Sequence, residues 1–244
     1  MKKTILITGC AGFIGFHLCR KLLKEYRIIG IDKLSNYYSI KLKKQRIEIL
    51  KKNKNFKFYK IDLSKKNFSY IFKKKKMHSV IHLAAQAGVR NSIYKPYNYL
   101  NDNIIAQVNL YESLKNIKIN KFIYASSSSV YGSTSKKNFS ESDELEDPLS
   151  FYSATKQSVE RISKYYSKFF KIPSIGIRFF TCYGPWGRPD LSITQITDSI
   201  IVKKEVTLLN NGKTQRDYTY IDDTVDGIVK CLNLNMKNKF HEIY

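Results

Sequence analysis

The sequence predicts an α/β fold, a doubly wound parallel sheet with helices on both faces and a small lobe added late in the chain. Three observations predict it. Short apolar runs alternate with stretches of helical spacing from Thr4 to Phe179. A glycine-rich turn joins the first run to the first helical stretch. Beyond Phe179 the alternation loosens, and Pro185, Gly187 and Pro189 stand close together, so the chain is expected to leave the sheet there.

The elements follow in order. Thr4–Thr8 is a buried strand and Phe13–Glu25 has helical spacing. Arg27–Ile31 is a second strand, Leu42–Leu50 a basic helix, and Phe56–Ile61 a third strand. A helix is expected near Ser69, a strand over Val80–Leu83, and a long helix over about Asn101–Lys115. Phe122–Ala125 is a fifth strand, Tyr152–Phe170 a helix, Ser174–Phe179 a sixth strand, and Phe240–Tyr244 a further one. The run Lys73–Lys76 is expected at a helix end or loop, where cations suit the helix dipole. Glu141–Asp147, five acids in seven residues, reads as an exposed loop.

Composition narrows the function classes. The 244 residues carry 43 Lys+Arg against 20 Asp+Glu, a formal charge of +23, and 43% are hydrophobic, enough to bury a core. Between Lys41 and Lys76 there are 15 Lys/Arg against Glu48 and Asp62. No nucleic-acid-binding motif accompanies that charge, so a solvated lysine face is expected, and its field favours anionic ligands. Cys10, Cys19, Cys182 and Cys231 are scattered without a CxxC pair, which excludes a disulfide scaffold or zinc module; no metal site is expected. No run is long enough to span a membrane. The glycines and His17 interrupt the apolar N-terminal stretch, and no cleavage site follows it, so no signal peptide is expected and the cytoplasm is the default.

Two groups of residues carry chemistry. Gly9-Cys10-Ala11-Gly12-Phe13-Ile14-Gly15 lies between strand and helix, where glycines permit a tight turn and close approach of a pyrophosphate to the helix N-terminus. Asp32, 17 residues after Gly15, ends the second strand, where a carboxylate can accept from both ribose hydroxyls and repel a 2′-phosphate. This favours NAD over NADP, although Lys33 is adjacent. Tyr152 and Lys156 are spaced i, i+4 and share a helix face, so the ammonium is expected to lower the phenol's pKa from about 10. Ser126 to Ser129 follow the fifth strand at the carboxyl edge of the sheet, and Ser127 lies 25 residues before Tyr152. A hydroxyl there can hold a substrate oxygen while tyrosine exchanges a proton.

The turn has the spacing G-x-x-G-x-x-G, and with the Tyr-x-x-x-Lys pair it resembles the extended short-chain dehydrogenase/reductases, of the NAD-dependent epimerase/dehydratase type, over the whole chain. The resemblance implies a Rossmann-like fold that keeps NAD bound. It implies Ser127, Tyr152 and Lys156 as catalytic residues. It implies cofactor contacts from Gly9, Gly12, Phe13, Ile14, Gly15, Asp32, Asp62, Leu63, Leu83, Ala84, Ala85 and Asn103, as well as Tyr152 and Lys156. Ala106 stands where relatives often have glycine.

Ala84 to Arg90 (AAQAGVR), Ala125 to Gly132 (ASSSSVYG) and Arg178 to Asp190 (RFFTCYGPWGRPD) look like the UDP-glucuronate 4-epimerases. By that resemblance Thr181 and Arg188 bind the sugar carboxylate, Arg216 the diphosphate, and Arg90, Ser128 and Ser129 the substrate. Ser128 and Ser129 are neutral where dehydratases and decarboxylases usually place acids. Cys182 replaces a small apolar residue. The expected reaction is C4 epimerisation of a UDP-sugar through a 4-keto intermediate, with UDP-glucose or UDP-N-acetylglucosamine as alternative substrates. A non-catalytic dinucleotide- or RNA-binding fragment is the reading of another class. The resemblance also implies a homodimer through two helices, one of them Tyr152–Phe170. Family members continue well beyond Tyr244, so the substrate lobe is expected to be incomplete. The division expected is residues 1–180 for the cofactor, 181–221 for part of the substrate lobe, and 222–244 returning to the sheet.

Overall fold

The computed structural model describes residues 2–65, 68–71, 77–133, 138–206, 209–213, 215–236 and 240–244. The run Lys73–Lys76 lies outside them. Strands β1 (Thr4–Thr8), β2 (Arg27–Asp32), β3 (Phe56–Lys60), β4 (Ser79–His82), β5 (Lys121–Ser127), β6 (Ser174–Phe179) and β9 (His241–Ile243) form one sheet. Its order is β3-β2-β1-β4-β5-β6-β9, and every pair is parallel. The strand order reverses between β1 and β4, and the open crevice for a ligand in such a sheet lies outside the carboxyl ends at that point.

The inner strands bury both faces because side chains alternate, while the edge strands β3 and β9 stay partly open. Ile5 and Ile7 face one core with Phe16, Leu18 and Ile28. Leu6 faces the other with Val80, Leu110, Tyr111 and Phe122. Helices α1 (Phe13–Leu22), α2 (Ile40–Lys51) and α8 (Ile221–Asn233) cover the first face; α5 (Ala106–Leu114) and α6 (Phe151–Phe170) cover the second. Helix α6 starts at Ser150, whose hydroxyl accepts from Ser153 N at 3.0 Å, and ends at Lys171 in the left-handed region (φ 56°). Tyr111 and Tyr166 stack at 4.6 Å between α5 and α6.

The end of α8 has an unusual cap. The Lys121 ammonium, rooted at the start of β5, donates to the carbonyls of Cys231 (2.9 Å), Leu232 (2.7 Å) and Leu234 (2.5 Å). A buried cation thus satisfies acceptors that the last helical turn leaves open.

The expected long helix over Asn101–Lys115 is broken. Short helices α3 (Asn91–Tyr94) and α4 (Pro96–Tyr99) lead into a π-helical stretch, Leu100–Ile105, and only then α5. The apolar pattern does not distinguish a π turn from an α turn within six residues. The helix expected near Ser69 is a 3-10 turn, Ser69–Ile71.

Beyond β6 the chain leaves the seven-stranded sheet. Strands β7 (Thr181–Tyr183) and β8 (Tyr218–Tyr220) pair in parallel, and between them α7 (Ser192–Ile201) lies on the surface with no buried residue. After α8 the chain returns as β9 beside β6, where Arg178 N donates to Tyr244 O at 2.6 Å. No helix among the described residues is long and apolar enough to cross a membrane.

Candidate active site

The carboxyl ends of β1, β2 and β4 are level, with Thr8 opposite both Ile31 and His82. The glycine turn leaves from this edge. Gly9 has φ +70°, and a Cβ there would stand 2.7 Å from Ala84 N. A Cβ on Gly15 would stand 2.1 Å from the Gly9 carbonyl oxygen, a backbone atom with no room to yield. Gly12 precedes α1 without any side-chain cap, and the first turn of α1 holds no acid. The helix N-H groups are therefore left for an anion. Gly15→Ala is expected to strip retained dinucleotide from the purified protein and to cost about 1–3 kcal/mol by overpacking. Absorbance ratio and thermal melting check it; cofactor retention equal to wild type would refute it.

Asp32, half-buried, accepts from Ala11 N at 3.1 Å and from Leu34 N at 2.8 Å. Burial pushes its pKa up, against those two bonds and the Lys43 charge. Lys33 turns away from Asp32 to Asp102, at 2.5 Å, with Asp62 at 3.9 Å. Burial raises Asp62, but bonds from Ser64 and the Lys33 charge outweigh it and hold its carboxyl below the usual range. Lys33, Asn36, Asp62, Gln86 and Asp102 line a cleft of about 610 Å³ on this side of the sheet. The cradle that a Cβ would fill, the uncapped helix and the carboxylate at the end of β2 fit a dinucleotide.

His82 is buried, and burial with the Lys156 charge drives its pKa down to about 3. Thr8 Oγ1 accepts from Ala84 N at 3.2 Å and bonds His82 Nδ1 at 2.7 Å. This pair fixes the segment Leu83–Ala85 against the glycine turn.

Ser127, Tyr152 and Lys156 come together where β5 meets α6. Ser127 ends β5, later than the Phe122–Ala125 expected, and its hydroxyl accepts from Ser129 N at 3.2 Å at the head of the 3-10 turn Ser128–Tyr131. The Ser127 side chain lies close enough to the Tyr152 phenol to act on its pKa. Lys156 is buried, with Nζ donating to Ala125 O at 2.9 Å and lying 5.9 Å from the Tyr152 ring centroid. The expected depression of the phenol's pKa is not found. Burial raises it, while the Ser127 side chain and the Arg188 charge oppose. The same burial pulls Lys156 down to about 8, against the Glu160 charge. Spacing places the two groups on one face, but desolvation dominates both in this pocket.

Asn103, in the π turn, is buried and ties three parts together. Its Oδ1 accepts from Gln86 N (2.8 Å), and its Nδ2 donates to Gln86 O (3.2 Å) and Thr155 Oγ1 (2.9 Å). The extra residue of the π turn re-aims this side chain toward α6, one position before Lys156.

Arg188 reaches the cluster from the segment after β7, close enough for its charge to act on Tyr152 and Cys182. Thr181, on β7, is half-buried, and so is Ser128. The Ser129 hydroxyl is buried with no hydrogen-bond partner among the described residues. Arg90 is exposed, and Arg216 is exposed with Nη1 on the Gln215 carbonyl at 2.7 Å; neither is bonded to the Tyr152 cluster among the described residues. Glu160 and Arg178 form a buried pair behind Lys156 (3.0 and 2.9 Å), joined by Ser126 Oγ at 2.5 Å. Among the described residues no group of His, Cys, Asp and Glu could hold a metal ion.

A family model described as the NAD dependent epimerase/dehydratase family matches residues 5–244. The chain belongs to that family. It is 45% identical over 230 residues to Protein CapI of Staphylococcus aureus, covering 93% of this chain and 69% of that protein. It is 41% identical over 231 residues to a UDP-glucuronate 4-epimerase of Thermodesulfobacterium geofontis, covering 93% of this chain and 71% of that one. Among solved structures, the UDP-glucuronic acid 4-epimerase of Bacillus cereus in complex with UDP-glucuronic acid and NAD superposes with a TM-score of 0.91 at 40% identity, covering 98% of this chain and 76% of that one. The fold expected of the family is the fold found.

Several residues at the site escaped the sequence reading. Tyr99 donates to Ala87 O (3.0 Å) and Gly88 O (2.5 Å) and packs edge-on to Tyr152 at 6.0 Å. Arg46 is fully buried on α2; it donates to Ala11 O in the glycine turn (2.8 Å), to Tyr38 Oη (2.8 Å) and to Trp186 O (2.5 Å). It cross-ties the cofactor turn of the family to the segment that carries Arg188. Its only sequence signal is an arginine among apolar helix positions, which the surrounding lysines conceal.

Proposed function

We propose that this chain binds NAD and inverts C4 of UDP-glucuronate to give UDP-galacturonate, with Tyr152 as the acid/base. The observation that carries the reading is the junction of Ser127, Tyr152 and Lys156 at the sheet edge beside the glycine turn, with the Arg188 charge acting on the same phenol. The glycine turn and Asp32 would hold NAD, which would supply the hydride acceptor and donor for C4. Tyr152 takes the C4 hydroxyl proton and gives it back, Ser127 orients that oxygen, and Lys156 offsets charge on the phenolate.

The 4-keto acid formed on the way carries a carboxylate β to its ketone and is prone to lose CO₂. Arg188 and Thr181 hold that carboxylate out of line for cleavage, the arginine through its planar fork. Ser128, Ser129 and Arg90 take further substrate contacts, and Arg216 the diphosphate. In this reading residues 1–180 bind NAD, 181–221 build the substrate side, and 222–244 close the sheet.

The primary test is incubation of the purified chain with UDP-glucuronate and catalytic NAD, with products read by chromatography. UDP-galacturonate is expected; a decarboxylated pentose product or unchanged substrate would sink the reading. Arg188→Leu separates the neutral-sugar alternative. It is expected to weaken UDP-glucuronate binding about 100-fold and UDP-glucose binding less than tenfold; equal losses would remove the carboxylate role.

Two further parts of the proposal concern assembly and place. Tyr165 and Phe169 on α6 are 51% and 64% exposed, an apolar face suited to a second copy of the chain; a monomer in sedimentation equilibrium would contradict that. The four cysteines are free thiols, which fits a reducing cytoplasm and is checked by fractionation.

A further inference from the structure

Arg188 is already holding a carboxylate. Its Nε donates to Asp190 Oδ1 at 3.0 Å and its Nη2 to Oδ2 at 2.5 Å, a two-point pairing of fork and carboxylate. The pairing is local. Leu191 N donates to Arg188 O at 3.2 Å, closing a turn with Pro189 at its second position, which sets the two side chains on one side. A third group completes it: the Tyr37 phenol, from the loop after β2, donates to Asp190 Oδ2 at 3.2 Å, and the Arg188 guanidinium lies 5.6 Å from the Tyr37 ring centroid. The backbone beneath is held by Arg46, through Trp186 O and Gly187 O. The pair is not sealed in the core: the side chains of Arg188 and Asp190 remain 20% and 31% exposed.

We propose that Asp190 is a resident carboxylate that occupies the fork of Arg188 until a sugar carboxylate displaces it, which makes Asp190 a specificity-determining residue for the acidic substrate. The inference rests on the reading of Arg188 as the carboxylate-binding residue. One fork edge accepts one carboxylate, and two carboxylates on it would repel. A uronate therefore competes with Asp190 for the same two N-H groups, while a neutral hexose leaves the pair intact. Burial acts to raise the Asp190 pKa, but the Arg188 bonds outweigh it and keep the carboxyl ionised, so the competition is between two anions at neutral pH. When displaced, Asp190 turns to the water it already touches, keeping Tyr37 as a partner. The resident anion also keeps the unliganded pocket from presenting a bare guanidinium to every anion in solution, at the expense of affinity for the right one.

The test is a ratio, measured by calorimetry on the full chain loaded with NAD: the affinity for UDP-glucuronate divided by that for UDP-glucose. Asp190→Asn keeps the shape and removes the anion, and is expected to raise the ratio about tenfold. Asp190→Ser, without the amide, is expected to raise it in the same direction. In the Arg188→Leu background Asp190→Asn is expected to leave the ratio at the Arg188→Leu value. An unchanged or lowered ratio in both Asp190 variants overturns the proposal, because a residue that merely orients the arginine helps the uronate bind. The reading beneath is judged separately. If Arg188→Leu leaves the ratio at its wild-type value, or wild type binds no UDP-glucuronate, the carboxylate role of Arg188 fails; if Arg188→Leu lowers the ratio and the Asp190 variants do not raise it, only the displacement fails.

Discussion

Tyr152→Phe is expected to lower kcat by about 10²–10⁴-fold, the range that a positioned proton donor contributes. The ring is kept, so its packing against Tyr99 at 6.0 Å survives. What is lost is the hydroxyl that, in the proposed reaction, exchanges the C4 proton beside Ser127. The fold should lose little, about 0.5–1.5 kcal/mol, the scale of one hydrogen bond. Turnover assays beside thermal melting separate the two effects. A variant that melts normally and turns over within tenfold of wild type would remove Tyr152 from the chemistry and direct attention to Ser127 or to a water.

Lys156→Met is expected to split stability from activity in the other direction. The buried ammonium is held charged against desolvation, so its pKa in the folded chain, about 8, lies below the usual lysine value of about 10.5. Below pH 8 both folded and unfolded chains carry the charge, and its burial destabilises the fold. Between about 8 and 10.5 the folded chain releases the proton while the unfolded chain keeps it, so wild-type stability rises with pH through that window. The methionine variant lacks this slope. Wild type should therefore gain on it by up to about 3 kcal/mol as pH rises from 7 to 10.5. Turnover should fall about 100-fold or more below about pH 8, where wild type still holds the cation that offsets the phenolate. Melting curves of both proteins across pH 7–10 check the slope; parallel stability profiles would show that Lys156 is not desolvated as its surroundings imply.

Much of the fold was legible because parallel strands buried on both faces leave continuous apolar runs such as Thr4–Thr8 and Ser174–Phe179. The glycine turn was legible because backbone approach demands a residue type. The π turn around Asn103 was not, since it shifts a helix by one residue without altering which residues are apolar. Nor was the sign of the Tyr152 shift: spacing tells which groups meet, and depth decides what meeting does to them. Tyr37, Arg46 and Asp190 were missed for a third reason. Their partners are set by tertiary approach, with Tyr37 and Asp190 lying 153 positions apart, and only the Arg-Pro-Asp turn left a local trace.

The lysine that caps α8 from the sheet interior has a consequence for how the molecule opens. Its ammonium can release the carbonyls of Cys231, Leu232 and Leu234 only by losing three charge-assisted bonds at once. Helix α8 cannot therefore fray from its C-terminus ahead of β5, as an ordinary surface helix does. In hydrogen exchange, the amides of its last turn should be protected as long as those of Phe122 and Ile123, and should follow them with denaturant as a single unit. A stretch of chain that leaves the sheet at Phe179 and wanders over the surface is thus anchored, on its way back, at the depth of the core.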